Sequence, residues 1–159
     1  MYRSYGEDLE ESWKIMLKLG LIWNGTRAED VLREFLDDLR SKGVDLRTVI
    51  VIGSRARGTW KTSSDIDLVV IVRSERDLKN VILGRNVGII DPKPYTISEA
   101  KEALKNFDTT IIEALEYGLI VYDSGFWKHL AKEYKEKWKD KVKIIYDEKG
   151  NISQIYLTN

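Results

Sequence analysis

The 159-residue chain has no cysteine, one histidine (His129), one glutamine (Gln154) and two prolines. Without thiols there is no disulfide framework, no thiol nucleophile and no zinc-thiolate site, and a single histidine excludes a multi-histidine metal centre. An excess of either charge is also missing: 26 Lys and Arg face 26 Asp and Glu, so no overall field draws the chain to nucleic acid or to an anionic membrane. Apolar runs are too short for a membrane span, and the acidic start, with Glu7, Asp8, Glu10 and Glu11, is unlike a signal peptide. A cytoplasmic protein is the expectation. High charge with no cysteine and little glutamine is also the bias of proteins that work hot. The chemistry left to this chain is that of carboxylates, hydroxyls and amines.

A 43% share of hydrophobic residues suffices for one buried core. Leu9, Trp13, Met16 and Leu17 recur at helical spacing, and Thr26 with Glu29 reads as a capping box ahead of Val31, Leu32, Phe35, Leu36 and Leu39. Thr48 to Ile52 and Ile66 to Val72 read as buried strands joined by a polar turn. Val87 to Ile90 reads as a third strand, closed by Asp91 and Pro92. Thr96 with Glu99 opens a further helix, Asp108 caps another that ends near Gly118, and Leu119 to Tyr122 is a fourth strand. Trp127, Ala131, Tyr134 and Trp138 mark the core-facing stripe of a last helix, and strands at Lys143 to Tyr146 and Ile152 to Leu157 flank a turn at Gly150 and Asn151. The fold class expected is α+β, a mixed sheet covered by helices. A single domain over 1–159 is expected, with N-terminal helices in 1–46, a core in 47–123 and a helix plus hairpin in 124–159.

The informative stretch is Gly53-Ser54-Arg55-Ala56-Arg57-Gly58, followed after Thr59 to Ser64 by Asp65-Ile66-Asp67-Leu68. Residues two apart in a strand share a face, so Asp65 and Asp67 present paired carboxylates while Ile66 and Leu68 face the other way. Such a pair repels unless a cation lies between, and hard oxygen ligands suit Mg²⁺ or Mn²⁺, which complete their shells with substrate phosphate. Gly53 lets backbone N–H groups approach a phosphate closely and Ser54 adds a hydroxyl, with Arg55, Arg57 and Lys61 as nearby cations. Asp91, at the end of another strand, is a third carboxylate if that strand adjoins the Asp65 strand. Three acids suit a two-metal displacement.

Gly53-Ser54, ten intervening residues and then Asp65-Ile66-Asp67-Leu68 after an apolar strand resemble the signature of the polymerase-β-type nucleotidyltransferase superfamily. Arg55-Ala56-Arg57-Gly58 is similar to its minimal branch. The resemblance implies a palm-like core in which Asp65, Asp67 and Asp91 hold two Mg²⁺ or Mn²⁺ ions and act in catalysis. It further implies that Gly53 and Ser54 contact the phosphates of ATP or another nucleoside triphosphate, with Arg55 and Arg57 beside them. The reaction implied is transfer of AMP to a hydroxyl of a protein or small-molecule acceptor. Minimal members act with a separate helical HEPN toxin, so such a protein is the implied partner. The alternative is a non-catalytic nucleotide- or partner-binding module on the same fold. Seven lysines in 126–143 against three acids form a basic flank read as a solvated face, so a nucleic-acid partner is not expected; self-association stays open.

Overall fold

Alternating β-branched and polar segments fold as the patterning predicts. The structure, a computed structural model, describes residues 18–84 and 88–158; the helix expected around Leu9 to Leu17 lies outside them. The elements in chain order are α1 (Ala28–Ser41), β1 (Leu46–Ile52), the short α2 (Gly53–Arg57), β2 (Ile66–Val72), α3 (Glu75–Leu83), β3 (Ile90–Thr96), α4 (Ile97–Lys105), α5 (Thr109–Tyr117), β4 (Leu119–Asp123), α6 (Phe126–Lys137), β5 (Val142–Tyr146) and β6 (Ile152–Leu157). Four strands form one sheet in the order β3-β2-β1-β4, and β5 with β6 forms a separate hairpin. The sheet is mixed: β1 runs antiparallel to β2 and β4, whereas β2 and β3 are parallel.

Alternation along the central strands divides the interior. Val49, Val51, Leu68 and Val70 join Leu32, Phe35, Leu36 and Leu39 of α1 on one face, and Ile50, Ile52, Val69 and Ile71 pack with α4, α5 and α6 on the other. Burial of both faces explains why β1 and β2 read as nearly continuous apolar runs. Trp127 and Tyr134 are buried in the second cluster, as their stripe predicted. The Thr96 and Glu99 capping box and the Asp108 cap both form.

Three sequence expectations are corrected. Thr26 and Glu29 make no capping box: Arg27 is the N-cap, and Glu29 is buried, accepting from the Leu19 backbone and from Arg27 Nε at 3.0 Å. The third strand does not close at Asp91 and Pro92 but runs on from Ile90 to Thr96. Both prolines fit because β3 is an outer strand; Pro92 and Pro94 share a parity and leave the side without an N–H toward the open edge. Between β2 and β3 lies α3, which the sequence did not announce; with nine residues, of which Asp77 and Val81 are buried, it shows too little apolar periodicity to be legible. A parallel β2–β3 pair nevertheless needs such a crossover.

Candidate active site

Strand register gathers the acids. Asp67 enters β2 on the face of Val69 and Ile71, and the parallel pairing sets it opposite Asp91 of β3. Asp65 precedes β2 by one residue. Carboxylate oxygens of Asp65, Asp67 and Asp91 lie within 4.8 Å of one another, which meets the condition the sequence left open for Asp91. Across the β1–β2 pair, Ile52 is the register partner of Asp67, so Gly53 begins α2 directly beside that carboxylate. Gly53 has φ +72°, and a Cβ built there would lie 2.5 Å from Asp67 Oδ2. Both the backbone angle and the missing side chain therefore require glycine at this position. Ser54 follows in the same turn.

The electrostatics of this cluster are those of crowded anions. Asp67 has its carboxyl pushed up to about 6, chiefly by burial, with Asp91 and Asp65 adding to the rise and Lys93 opposing it. Lys93, unremarked in the sequence, stands two residues beyond Asp91 on the same face of β3, its Nζ 3.0 Å from Asp91 Oδ2 and 3.8 Å from Asp67 Oδ1. Its only sequence signal was the period-two spacing from Asp91. The oxygen-only donor set and the raised Asp67 carboxyl both fit a hard divalent cation, which would replace proton and ammonium as the neutralising charge.

A pH prediction follows from the sign of that shift. With Asp67 as a ligand, protons would compete with Mg²⁺ for its carboxylate, so Mg²⁺ affinity should rise between pH 5 and pH 7 and level off above, as titration calorimetry would register. Lys93→Met removes the competing ammonium and should tighten Mg²⁺ binding several-fold at pH 7.5, on the order of 1 kcal/mol. Affinity that ignores pH over this range would mean that Asp67 does not ligate the ion.

The cations expected at the turn divide. Arg55 is not brought to the acidic face: it is 1% exposed, and its guanidinium donates to the carbonyls of Leu19, Leu21, Lys61 and Ser64. Trp60 lies over it, 5.5 Å from guanidinium carbon to ring centroid, and covers Gly20, where a Cβ would meet the indole at 2.1 Å. Burial has thus turned the expected phosphate contact into a brace for the 59–64 loop that leads into Asp65. Arg57 stays near the site and pairs with Glu113 of α5, Nη1 to Oε2 at 3.0 Å. The same Glu113 oxygen accepts the Gly53 N–H at 2.8 Å. Glu113 therefore docks α2 against α5. A single glutamate on a helix carries no distinguishing pattern, so nothing in the residue order pointed to Glu113.

The nucleotidyltransferase domain profile matches residues 32–149. This chain belongs to the nucleotidyltransferase family. A Methanocaldococcus jannaschii protein provisionally named a protein adenylyltransferase is 32% identical over 135 residues, covering 75% of this chain and 88% of the relative. Among solved structures, a toxin–antitoxin with AMP-PNP is similar at a TM-score of 0.40 and 16% identity, covering 67% of this chain and 94% of that one. A mutant of the toxin–antitoxin MntA–HpeT is similar at 0.39 and 15%, with the same coverage. Likenesses of that degree carry no functional weight. As a nucleotidyltransferase the chain has a mixed sheet with helices on both faces, and among its described residues no helix is long and apolar enough to cross a membrane.

Proposed function

We propose that this nucleotidyltransferase transfers AMP from ATP to a hydroxyl of a protein acceptor, using Asp65, Asp67 and Asp91 around Mg²⁺. The observation that carries the reading is the meeting of three carboxylates from two neighbouring strands with the side-chain-free bend at Gly53. Asp65 and Asp67, with Asp91, would hold the ions, and bound Mg²⁺ would supply neutralisation of the triphosphate and a lowered pKa for the attacking hydroxyl. Asp91, its side chain 49% exposed on the outer strand, orients the acceptor hydroxyl and takes its proton. The hydroxyl oxygen bonds to the α-phosphorus as the bond to the departing pyrophosphate breaks. Gly53, Ser54 and Arg57 bind phosphate oxygens; Arg57 does so by exchanging its Glu113 partner for the substrate. No covalent enzyme intermediate is needed, since positioning and charge neutralisation supply the rate.

Adenylyl transfer to protein is supported by the name of the Methanocaldococcus jannaschii relative and by the exposure of Asp65 and Asp91 at the β3 edge, where a bulky acceptor has access. A helical toxin of the HEPN kind, the partner implied by the sequence resemblance, is the acceptor to test. The pure protein, α-labelled ATP, Mg²⁺ and that acceptor should give a labelled protein band. Asp91→Asn should lower kcat by about 10²- to 10³-fold while ATP binding changes less than threefold, because the lost group acts on the hydroxyl. Turnover unchanged in that variant would remove Asp91 from the reaction. ATP binding without labelling of any protein, RNA or metabolite in an extract would favour a non-catalytic binding module.

A further inference from the structure

Two of the donors assigned above to phosphate are already engaged, and by one atom. Oε2 of Glu113, on α5, accepts the Gly53 N–H at 2.8 Å and Arg57 Nη1 at 3.0 Å. The pair is largely shielded from water, with the Arg57 side chain 13% and the Glu113 side chain 19% exposed. Resting on the nucleotidyltransferase reading above, we propose that Glu113 is a positioning residue that takes the place of a phosphate oxygen. Its carboxylate latches the Gly53 bend and Arg57 in the free protein, and the triphosphate tail must displace it.

Chemistry, fit and space all favour exchange over a fixed brace. Carboxylate and phosphate present the same kind of anionic oxygen to N–H donors at similar distances, so a pair of donors that holds one suits the other. The fit to Glu113 is incomplete. Arg57 Nε is buried without an acceptor among the described residues, a costly state for a donor on a cation. A phosphate group, with several oxygens, can serve Gly53, Nη1 and Nε together, where one glutamate oxygen serves two. Room for the displaced side chain lies beside it, in a cleft of about 410 Å³ that Glu113 itself lines together with Thr109 and Ser153. Thr109 stands one turn earlier on the same helix face, so a hydroxyl is at hand for a carboxylate released from Arg57. The latch also sets affinity. Any polyphosphate that uses the bend binds only the fraction of molecules in which Glu113 is withdrawn, and its apparent affinity falls by that fraction. Pyrophosphate, the departing product, is held more weakly for the same reason. Glu113 thus acts through Gly53 and Arg57 and touches no reacting atom.

Calorimetry of the full chain in Mg²⁺, with inorganic tripolyphosphate and a non-hydrolysable ATP analogue, tests the exchange. Glu113→Gln keeps the size of the side chain and removes its charge, and should tighten both ligands about tenfold, the equivalent of one charge-assisted hydrogen bond. In an Arg57→Gln background the same change should gain less than about threefold, because the latch has lost its charged partner. Glu113→Asp, too short to reach both donors, should fall between wild type and Glu113→Gln; it carries the test if the amide variant does not fold. Tripolyphosphate bound no better, or more weakly, by the folded Glu113 variants would overturn the latch and leave Glu113 a structural brace. An equal gain with and without Arg57 would overturn it too, reducing the effect to general repulsion between anions. A folded wild type that binds neither ligand would instead defeat the nucleotidyl-transfer reading itself.

Discussion

Asp67→Asn is expected to lower adenylyl transfer by at least about 10³-fold, into the background of a transfer assay, while leaving the protein more stable than wild type when no divalent ion is present. The two effects share one cause. Asp67 is the inner member of the carboxylate cluster, 29% exposed and raised to about 6 by burial and by two neighbouring acids. A carboxyl whose folded pKa exceeds its unfolded value favours folding only while protonated. That contribution is full below the unfolded value near 3.8, is lost as pH rises through about 6, and leaves the charged form as a cost at neutral pH. The cost is on the order of 1–3 kcal/mol, which the amide removes; for a chain of this length it corresponds to a rise in Tm of several degrees. The same substitution removes a charged carboxylate of the proposed metal site at the point nearest the Gly53 bend, and electrostatic stabilisation at a reacting phosphorus is commonly the largest catalytic term. Calorimetric melting at pH 7.5 with chelator, set beside labelled-ATP transfer with Mg²⁺, measures both. A destabilised Asp67→Asn protein with transfer intact would contradict both halves of the argument.

Arg55→Ala is expected to cost roughly 3–5 kcal/mol of folding stability and most of the activity, although Arg55 is buried away from the acids. Four backbone carbonyls converge on its buried guanidinium, and truncation leaves them without donors in an interior from which water is excluded. Burial holds the guanidinium pKa below its usual value, with Glu29 and then Asp65 opposing that shift, so the remaining charges would also lose a partner. The carbonyls belong to the segment before α1 and to the 59–64 loop, which Arg55 ties together beneath Trp60. Arg55→Lys should recover little, because an ammonium cannot reproduce the planar fork that reaches four acceptors. Urea unfolding of the two variants checks the stability. A loss below about 1 kcal/mol in Arg55→Ala would show that the loop holds without its brace.

Much of this was legible in the residue order for identifiable reasons. Periodicity exposes elements that are long or buried on both faces, so α1, β1, β2 and α6 could be read directly, and side-chain caps such as Asp108 report helix starts from local chemistry alone. The shared face of Asp65 and Asp67 is likewise a consequence of strand geometry. The short α3 buries too few residues to leave a period, and Pro92 reads as a terminator unless its strand is known to lie at an edge. Thr26 and Glu29 show the limit of local patterns: Glu29 is taken by Leu19 and Arg27 in the fold instead of returning to the helix start.

The sequence by itself determined the family, the mixed α+β class and the acid pair opposite a glycine-serine bend, because each depends on contacts between near neighbours in the chain or on a period along one strand. Tertiary structure alone decided that Asp91 stands opposite Asp67, that Lys93 enters the acidic cluster, and that Arg55 is buried while Arg57 pairs with Glu113. Those relations join residues separated by twenty to sixty positions. Strand order and burial create them, and neither is encoded in local spacing.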